Sequence, residues 1–288
     1  MNELNVNHRY LRDLEGEMYF PKTHVDAVIG LDELMEEFKN NQITPNPLKG
    51  KNIVMFGDSN TELGNYPELV AQTLGANVVK AGFYGCRMAQ HPGSVYMNNQ
   101  SMQKMVEFIQ KKDFTELVQS TEDYFASGGR DYRPQAQRLN EVDWDTVDLI
   151  TIFFGGNDFG SANPIGSDTD MTGATFKGAI NKIIKGINET IPNARIIFIA
   201  PMFRSRIYST AGENSDDNPN TAGVYFKEYI NAITGVTKLN HIPSISLHDL
   251  SGINRYNADS FLIDGKHPND KGYIHIARII SNQLSLLY

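Results

Sequence analysis

From Lys51 onward, short apolar runs alternate with stretches whose apolar residues recur every three or four positions. The runs Asn52–Phe56, Asn77–Lys80, Leu149–Phe154, Arg195–Ala200 and Ser244–Leu247 are rich in β-branched and aromatic residues, which predicts strands. The periodic stretches Tyr66–Thr73, Lys177–Thr190, Tyr225–Leu239 and Asn269–Leu287 predict helices with one buried face. "LITIFF", residues 149–154, is apolar without a break. Such a strand is covered on both faces, as in a parallel sheet. Doubly covered strands alternating with helices predict a layered fold of the α/β class. Ligands of open α/β sheets bind beyond the carboxyl ends of the strands. Chemistry is therefore expected just after each run.

Three regions depart from this alternation. Residues 1–48 precede the first core strand; Leu31–Phe38 there predicts a short amphipathic helix, and the segment holding Pro45 and Pro47 reads as a linker. The stretch from Cys86 to Asp145 is too long for a plain crossover and carries helical patterns at Met102–Lys111 and Phe114–Phe125, followed by the turn-rich "SGGRDYRPQ". Met202–Gly223, rich in Ser, Asn, Asp and Gly, predicts a surface loop. The expected organisation is an N-terminal extension over 1–48 and a main domain over 49–288 with a helical insert around 87–145.

Composition narrows the function without naming it. The 288 residues, 40% hydrophobic and 21% charged, suffice for a sizeable core. A formal charge of −8 gives a nucleic-acid partner no electrostatic support. The lone Cys86 rules out an internal disulfide framework and a cysteine-based zinc site. No run approaches the ~18 apolar residues of a membrane span, and the polar N-terminus lacks a signal core. The expectation is a soluble protein without membrane insertion, cytoplasmic or exported without a classical signal peptide.

Four strand or loop ends carry residues suited to acyl transfer: Ser59 in "FGDSNT", Gly85 in "AGFYGC", Asn157 in "GGND", and Asp264 with His267 in "DGKHP". A serine hydroxyl needs a hydrogen-bonded base, which His267 can supply. A tight Asp-Gly-Lys-His turn can fold Asp264 back onto the imidazole Nδ1–H. The Ser59 and Gly85 amides and the Asn157 side chain can donate to an oxyanion, each donor being worth roughly 2.7–4 kcal/mol. By itself Ser59 reads equally well as a helix N-cap with Asp58 and Asn60 as turn formers. Asp58 and Asp158 read first as loop-ordering residues.

Together these blocks resemble the SGNH hydrolases, also called the GDSL esterase/lipase superfamily, and they fall in that family's order over about Lys51 to Tyr288. The resemblance implies a three-layer α/β/α sandwich of flavodoxin-like type with a mainly parallel sheet. It implies a Ser59–Asp264–His267 triad, an oxyanion hole of Ser59, Gly85 and Asn157, and no cofactor or metal. Asn60 stands where the family name has leucine, Lys80 where asparagine is frequent, and the insert after Cys86 is large. Asn60, Tyr84, His91, Asp158, Phe159 and Phe203 are candidate substrate contacts, with Tyr208 a further wall candidate; packing or loop structure is the alternative for each.

The expected activity is serine-dependent hydrolysis of carboxylic esters, foremost O-acetyl groups on a carbohydrate or cell-envelope polymer. The polar 202–223 loop and the absence of a long apolar lid weigh against long-chain lipids. A lipase, phospholipase or teichoic-acid ester hydrolase stays open, as does a catalytically idle glycan-binding module. His248–Asp249 is a second possible pair, and the acids Asp168/Asp170 and Glu213/Asp216/Asp217 read as solvated loops rather than calcium ligands. "MYFPKTHVDAVIGLDELMEEF" is similar to segments of bacteriophage tail and baseplate proteins. That resemblance implies a virion location, tail or baseplate partners bound through residues 1–48, or a homo-oligomer.

Overall fold

The computed structural model describes residues 11–12, 15, 18–19, 46–206 and 213–288. The chain divides into two compact units, Met1–Asn46 and Pro47–Tyr288. In the first, β1 (Leu11–Arg12) pairs antiparallel with β2 (Met18–Tyr19). The helix expected over Leu31–Phe38 lies outside the described residues, as does Tyr208.

The second unit is built on five parallel strands: β3 (Asn52–Gly57), β4 (Asn77–Gly82), β5 (Leu149–Phe153), β6 (Arg195–Ala200) and β7 (Ser244–Ser246). Their order across the sheet is β4-β3-β5-β6-β7, the flavodoxin-like arrangement. All five begin where the apolar runs predict. Alternation of side chains along each strand explains the layers. Ile53 and Met55 enter one apolar cluster and Val54 and Phe56 the other; Leu149 and Phe153 oppose Ile150 and Ile152 in the same way. Every residue of β5 is buried, as its unbroken apolar run requires. Full burial of such side chains stabilises by about 1.5–3 kcal/mol each.

Helices α1 (Ser59–Leu63) and α2 (Tyr66–Leu74) follow β3. The insert supplies α3 (Val95–Asn99), α4 (Met102–Lys111), α5 (Thr115–Ala126) and α6 (Arg133–Asn140). Beyond β5 come α7 (Gly156–Gly160), α8 (Phe176–Thr190), α9 (Phe226–Leu239), α10 (Leu247–Leu250) and α11 (Asp270–Leu287). Buried residues of α4, α8 and α9 fill the cluster on one sheet face, and those of α2 and α11 the cluster on the other. The result is a three-layer sandwich. Where the sequence pattern gave only a turn-rich stretch, α6 begins at Arg133 with Pro134 in its first turn, a position where a missing N–H costs nothing. Among the described residues no helix is long and apolar enough to cross a membrane.

The strand order fixes where a site can form. β3 pairs with β4 on one side and β5 on the other, so consecutive connections leave β3 in opposite directions. A crevice opens between the ends of β3 and β5, at the switch point of the topology. Ser59 and Asn157 follow those two strands.

Candidate active site

The loop that carries Ser59 is pinned from below. A Cβ at Gly57 would fall 1.8 Å from Thr61 Oγ1, so only glycine lets α1 pack this tightly over the end of β3. The N-cap of α1 is Asp58, not Ser59: its carboxylate accepts from the Asn60 amide at 2.9 Å and from Asn60 Nδ2 at 3.1 Å. Ser59 is thereby the first residue of the helix, 4% exposed. The capping alternative belongs to its neighbour.

The Ser59 hydroxyl lies 2.8 Å from His267 Nε2, and His267 Nδ1 lies 2.7 Å from Asp264 Oδ2. The Asp-Gly-Lys-His turn forms as its sequence predicts. Gly265 takes φ +80°, a conformation that strains any residue with a side chain. The turn lets the Lys266 and His267 amides donate to Asp264 Oδ1 at 2.9 and 2.8 Å. Partial burial opposes ionisation of Asp264, but the amide and imidazole donors prevail and hold its carboxyl below the ordinary range. The turn is closed by a bridge between Leu262 and Pro268 and docked by the Ser205 amide, which donates to the Gly265 carbonyl at 2.9 Å. Asn269 then caps α11, accepting from the Gly272 amide at 3.0 Å.

Asn157 stands across the crevice. Its Nδ2 donates to the Cys86 carbonyl at 2.9 Å and approaches Asp58 Oδ2 at 3.4 Å. The first contact is a good hydrogen bond; the second is long and leaves that N–H weakly held. Gly85 has φ +76°, and its amide N–H has no partner among the described residues. Ser59, Asn60, Tyr84, Asn157 and His267 all line one cavity of about 100 Å³. Gly85 does not line it.

The other candidate contacts are placed elsewhere. Asp158 is fully buried and accepts from the Met88 and Ala89 amides at 2.8 and 3.0 Å, tying the start of the insert to α7. Burial pushes its carboxyl up to about 6 against those two amides. Phe159 is buried against Phe226 and Tyr229, and Phe203 belongs to the cluster beneath the sheet. His91 lines no part of this cavity. The sequence signal that suggested these four was adjacency to a motif, and adjacent helical or loop residues point in different directions. His248 sits 3.4 Å from Asp216, Asp168 pairs with Lys177, and Asp217 with Arg255. Among the described residues no group of acids, histidines and cysteines is arranged to hold a metal.

Sequence reasoning missed four charged residues around the site. Glu62, one turn along α1 from Ser59, accepts the Tyr84 amide at 2.5 Å and the Arg130 Nε–H at 2.6 Å. Arg130, from the insert, lies 4.8 Å over the Tyr84 ring, whose other neighbour is the His267 imidazole, stacked at 6.1 Å. Arg204 and Lys266 line the cavity itself. No local pattern links Glu62 to Arg130; the pairing exists only once the insert folds.

The GDSL-like Lipase/Acylhydrolase family model matches residues 53–280. The chain belongs to that family. It is an ester hydrolase, and Ser59, Asn157, Asp264 and His267 all fall within the matched span. Solved structures share the fold at low identity. A Lactobacillus plantarum protein aligns at 20% identity and TM-score 0.58, covering 83% of this chain and 99% of the other. A "possible lipase" from Chitinophaga pinensis aligns at 18% and TM-score 0.52, covering 82% and 98%. A GDSL-like lipase from Bacteroides thetaiotaomicron aligns at 15% and TM-score 0.51, covering 88% and 98%. Comparison with curated protein sequences finds no match.

Proposed function

We propose that this ester hydrolase uses Ser59, His267 and Asp264 as a catalytic triad to remove short acyl groups, foremost O-acetyl, from a carbohydrate or cell-envelope polymer. The observation that carries the reading is the unbroken relay from Ser59 Oγ through the imidazole to Asp264, opening onto a cavity of only about 100 Å³. That space suits a short acyl group and not a fatty chain.

In this reading Ser59 Oγ bonds to the ester carbonyl carbon while its proton passes to His267 Nε2. Asp264 holds the Nδ1–H tautomer and stabilises the imidazolium. The carbonyl oxygen becomes an oxyanion, met by the Ser59 and Gly85 amides and by the Asn157 N–H that now reaches weakly toward Asp58. Cleavage of the ester C–O bond releases the alcohol, which takes the proton from His267. Water attacks the acyl-enzyme, gives its proton to His267, and the acid leaves as the Ser59 hydroxyl is restored. Tyr84, Leu63 and Ile263 edge a second, wider recess of about 450 Å³ that also borders His267, and it offers an apolar shelf for the polymer.

The test is acetate release from purified O-acetylated polysaccharides by wild type and Ser59→Ala. Release by wild type alone is expected. No release by folded wild type from any of them, or equal release by both proteins, overturns the reading. For residues 1–48 the resemblance to phage tail and baseplate segments supports a virion-attachment or oligomerisation role. The solution mass of the full chain and of a chain lacking 1–48 tests the oligomerisation half; a monomer in both removes it.

A further inference from the structure

The charges that line the cavity do not balance. Besides His267 and Tyr84, its titratable side chains are Arg204, Lys266 and Asp58, two basic and one acidic, in a chain whose formal charge is −8. Arg204 and Asp58 are accounted for. The Arg204 Nη1–H donates to the Gly156 carbonyl at 2.5 Å, and its positive charge acts on the buried Asp58 carboxyl beside it. Asp264, the other acid nearby, accepts from the His267 imidazole and two amides. Lys266 has no such partner: its Nζ makes no hydrogen bond or ion pair among the described residues. Burial, and then Arg204, push its ammonium below the ordinary lysine value against the attraction of the nearby Asp264 carboxylate.

Lys266 is also placed where a substrate must pass. It lies between Asp264 and His267 in the catalytic turn, so its backbone is held by the same amide bond that positions the triad. Its side chain is only partly buried. Lining the cavity yet partly exposed, it stands at the rim and not at the floor.

We infer that the ester substrate carries an anionic group, a carboxylate or a phosphate, on its alcohol portion close to the acylated hydroxyl, and that Lys266 pairs with it. The inference rests on the esterase reading and narrows it from envelope polymers in general to acidic ones. An ammonium at this rim selects between acidic and neutral polymers that bear the same acetyl group. The negative chain raises the value of that selection, because its general field repels the acidic substrate that the local charge attracts.

Three small esters with one acyl group isolate the effect: 3-acetoxybenzoate, 3-acetoxyphenyl phosphate and the neutral 3-acetoxybenzamide. Wild type is expected to favour at least one anion over the amide by about 2–5-fold in kcat/KM, the range for a partly exposed ion pair, with the preference shrinking as salt is added. The anion preferred, carboxylate or phosphate, identifies the polymer class. K266M should abolish the ratio, K266E invert it and K266R retain it. Wild type that hydrolyses the amide with no anion preference overturns this inference and leaves the esterase reading standing. K266M that slows anionic and neutral esters equally also overturns it, since the lysine then acts on the reacting centre or the turn. Turnover of none of the three by folded protein overturns both.

Discussion

The two halves of the relay are held by opposite means. Ser59 is 4% exposed, on a helix wedged over the end of a central strand by Gly57 and capped by a buried aspartate. The carboxyls behind it, Asp58 and Asp158, are raised by burial. His267 and Asp264 stand instead on a four-residue turn, where the Asp264 side chain is 47% exposed and is held low by donors despite burial. Ser59 is positioned by the core; His267 is positioned by local hydrogen bonds and braces. Damage to the first half should therefore appear as lost stability, and damage to the second as lost activity in a folded protein.

The largest expected effect that separates the halves is Asp264→Asn. It should lower kcat on a short acyl ester by ~10²–10⁴-fold, because the amide cannot hold the correct imidazole tautomer. Its melting temperature should stay near wild type, as the lost contacts are half exposed. A large fall in melting temperature would contradict the contrast.

Asp58→Ala should behave the other way. It removes the α1 cap and the acceptor for Asn60, costing about 1–2 kcal/mol and so several degrees in a melt followed by circular dichroism. A variant as stable as wild type would show that the helix needs no cap here.

A pH effect of opposite sign is expected on the two sides. Asp158 is raised from 3.8 to about 6, so the folded chain binds its proton more tightly than the unfolded one. Its contribution to stability is then full below about pH 4 and is lost as pH rises through about 6. Asp264 is depressed, so its contribution is present above the ordinary carboxylate range and lost as pH falls through its lowered value. Denaturant midpoints measured between pH 4 and 7 should fall less steeply with rising pH in Asp158→Asn than in wild type. An identical slope would remove Asp158 as a source of the pH dependence.

The smallest effect concerns the brace that joins the halves. Glu62, on the helix that begins at Ser59, holds Arg130, which covers the Tyr84 ring against which His267 stacks. Arg130→Ala should lower kcat/KM by about 2–5-fold, the worth of one exposed cation–π contact and ion pair, with no change in fold. Unaltered kinetics would show that Tyr84 needs no support from the insert.

Much of this contrast was legible in the sequence, but unevenly. The apolar runs located all five sheet strands, most plainly β5, which is covered on both faces and apolar throughout, and the sheet-end rule then found Ser59, Asn157 and the Asp264–His267 turn. The turn itself was readable because its bonds are local and its glycine is required. The short helices α1 and α7 were not, since one turn of helix leaves no periodicity to detect. Glu62, Arg130 and Arg204 were missed for a different reason: their roles come from contacts across the fold. Asp158, Phe159 and Phe203 were overread, because sitting next to a motif residue says nothing about which way a side chain faces.

The central claim is that Ser59 is the activated nucleophile, and intact-mass analysis after treatment with a fluorophosphonate probe tests it most directly. The expected result is one adduct on wild type, mapped to Ser59, absent from Ser59→Ala and formed far more slowly on His267→Ala. No adduct on folded wild type, or an undiminished one on Ser59→Ala, would contradict it.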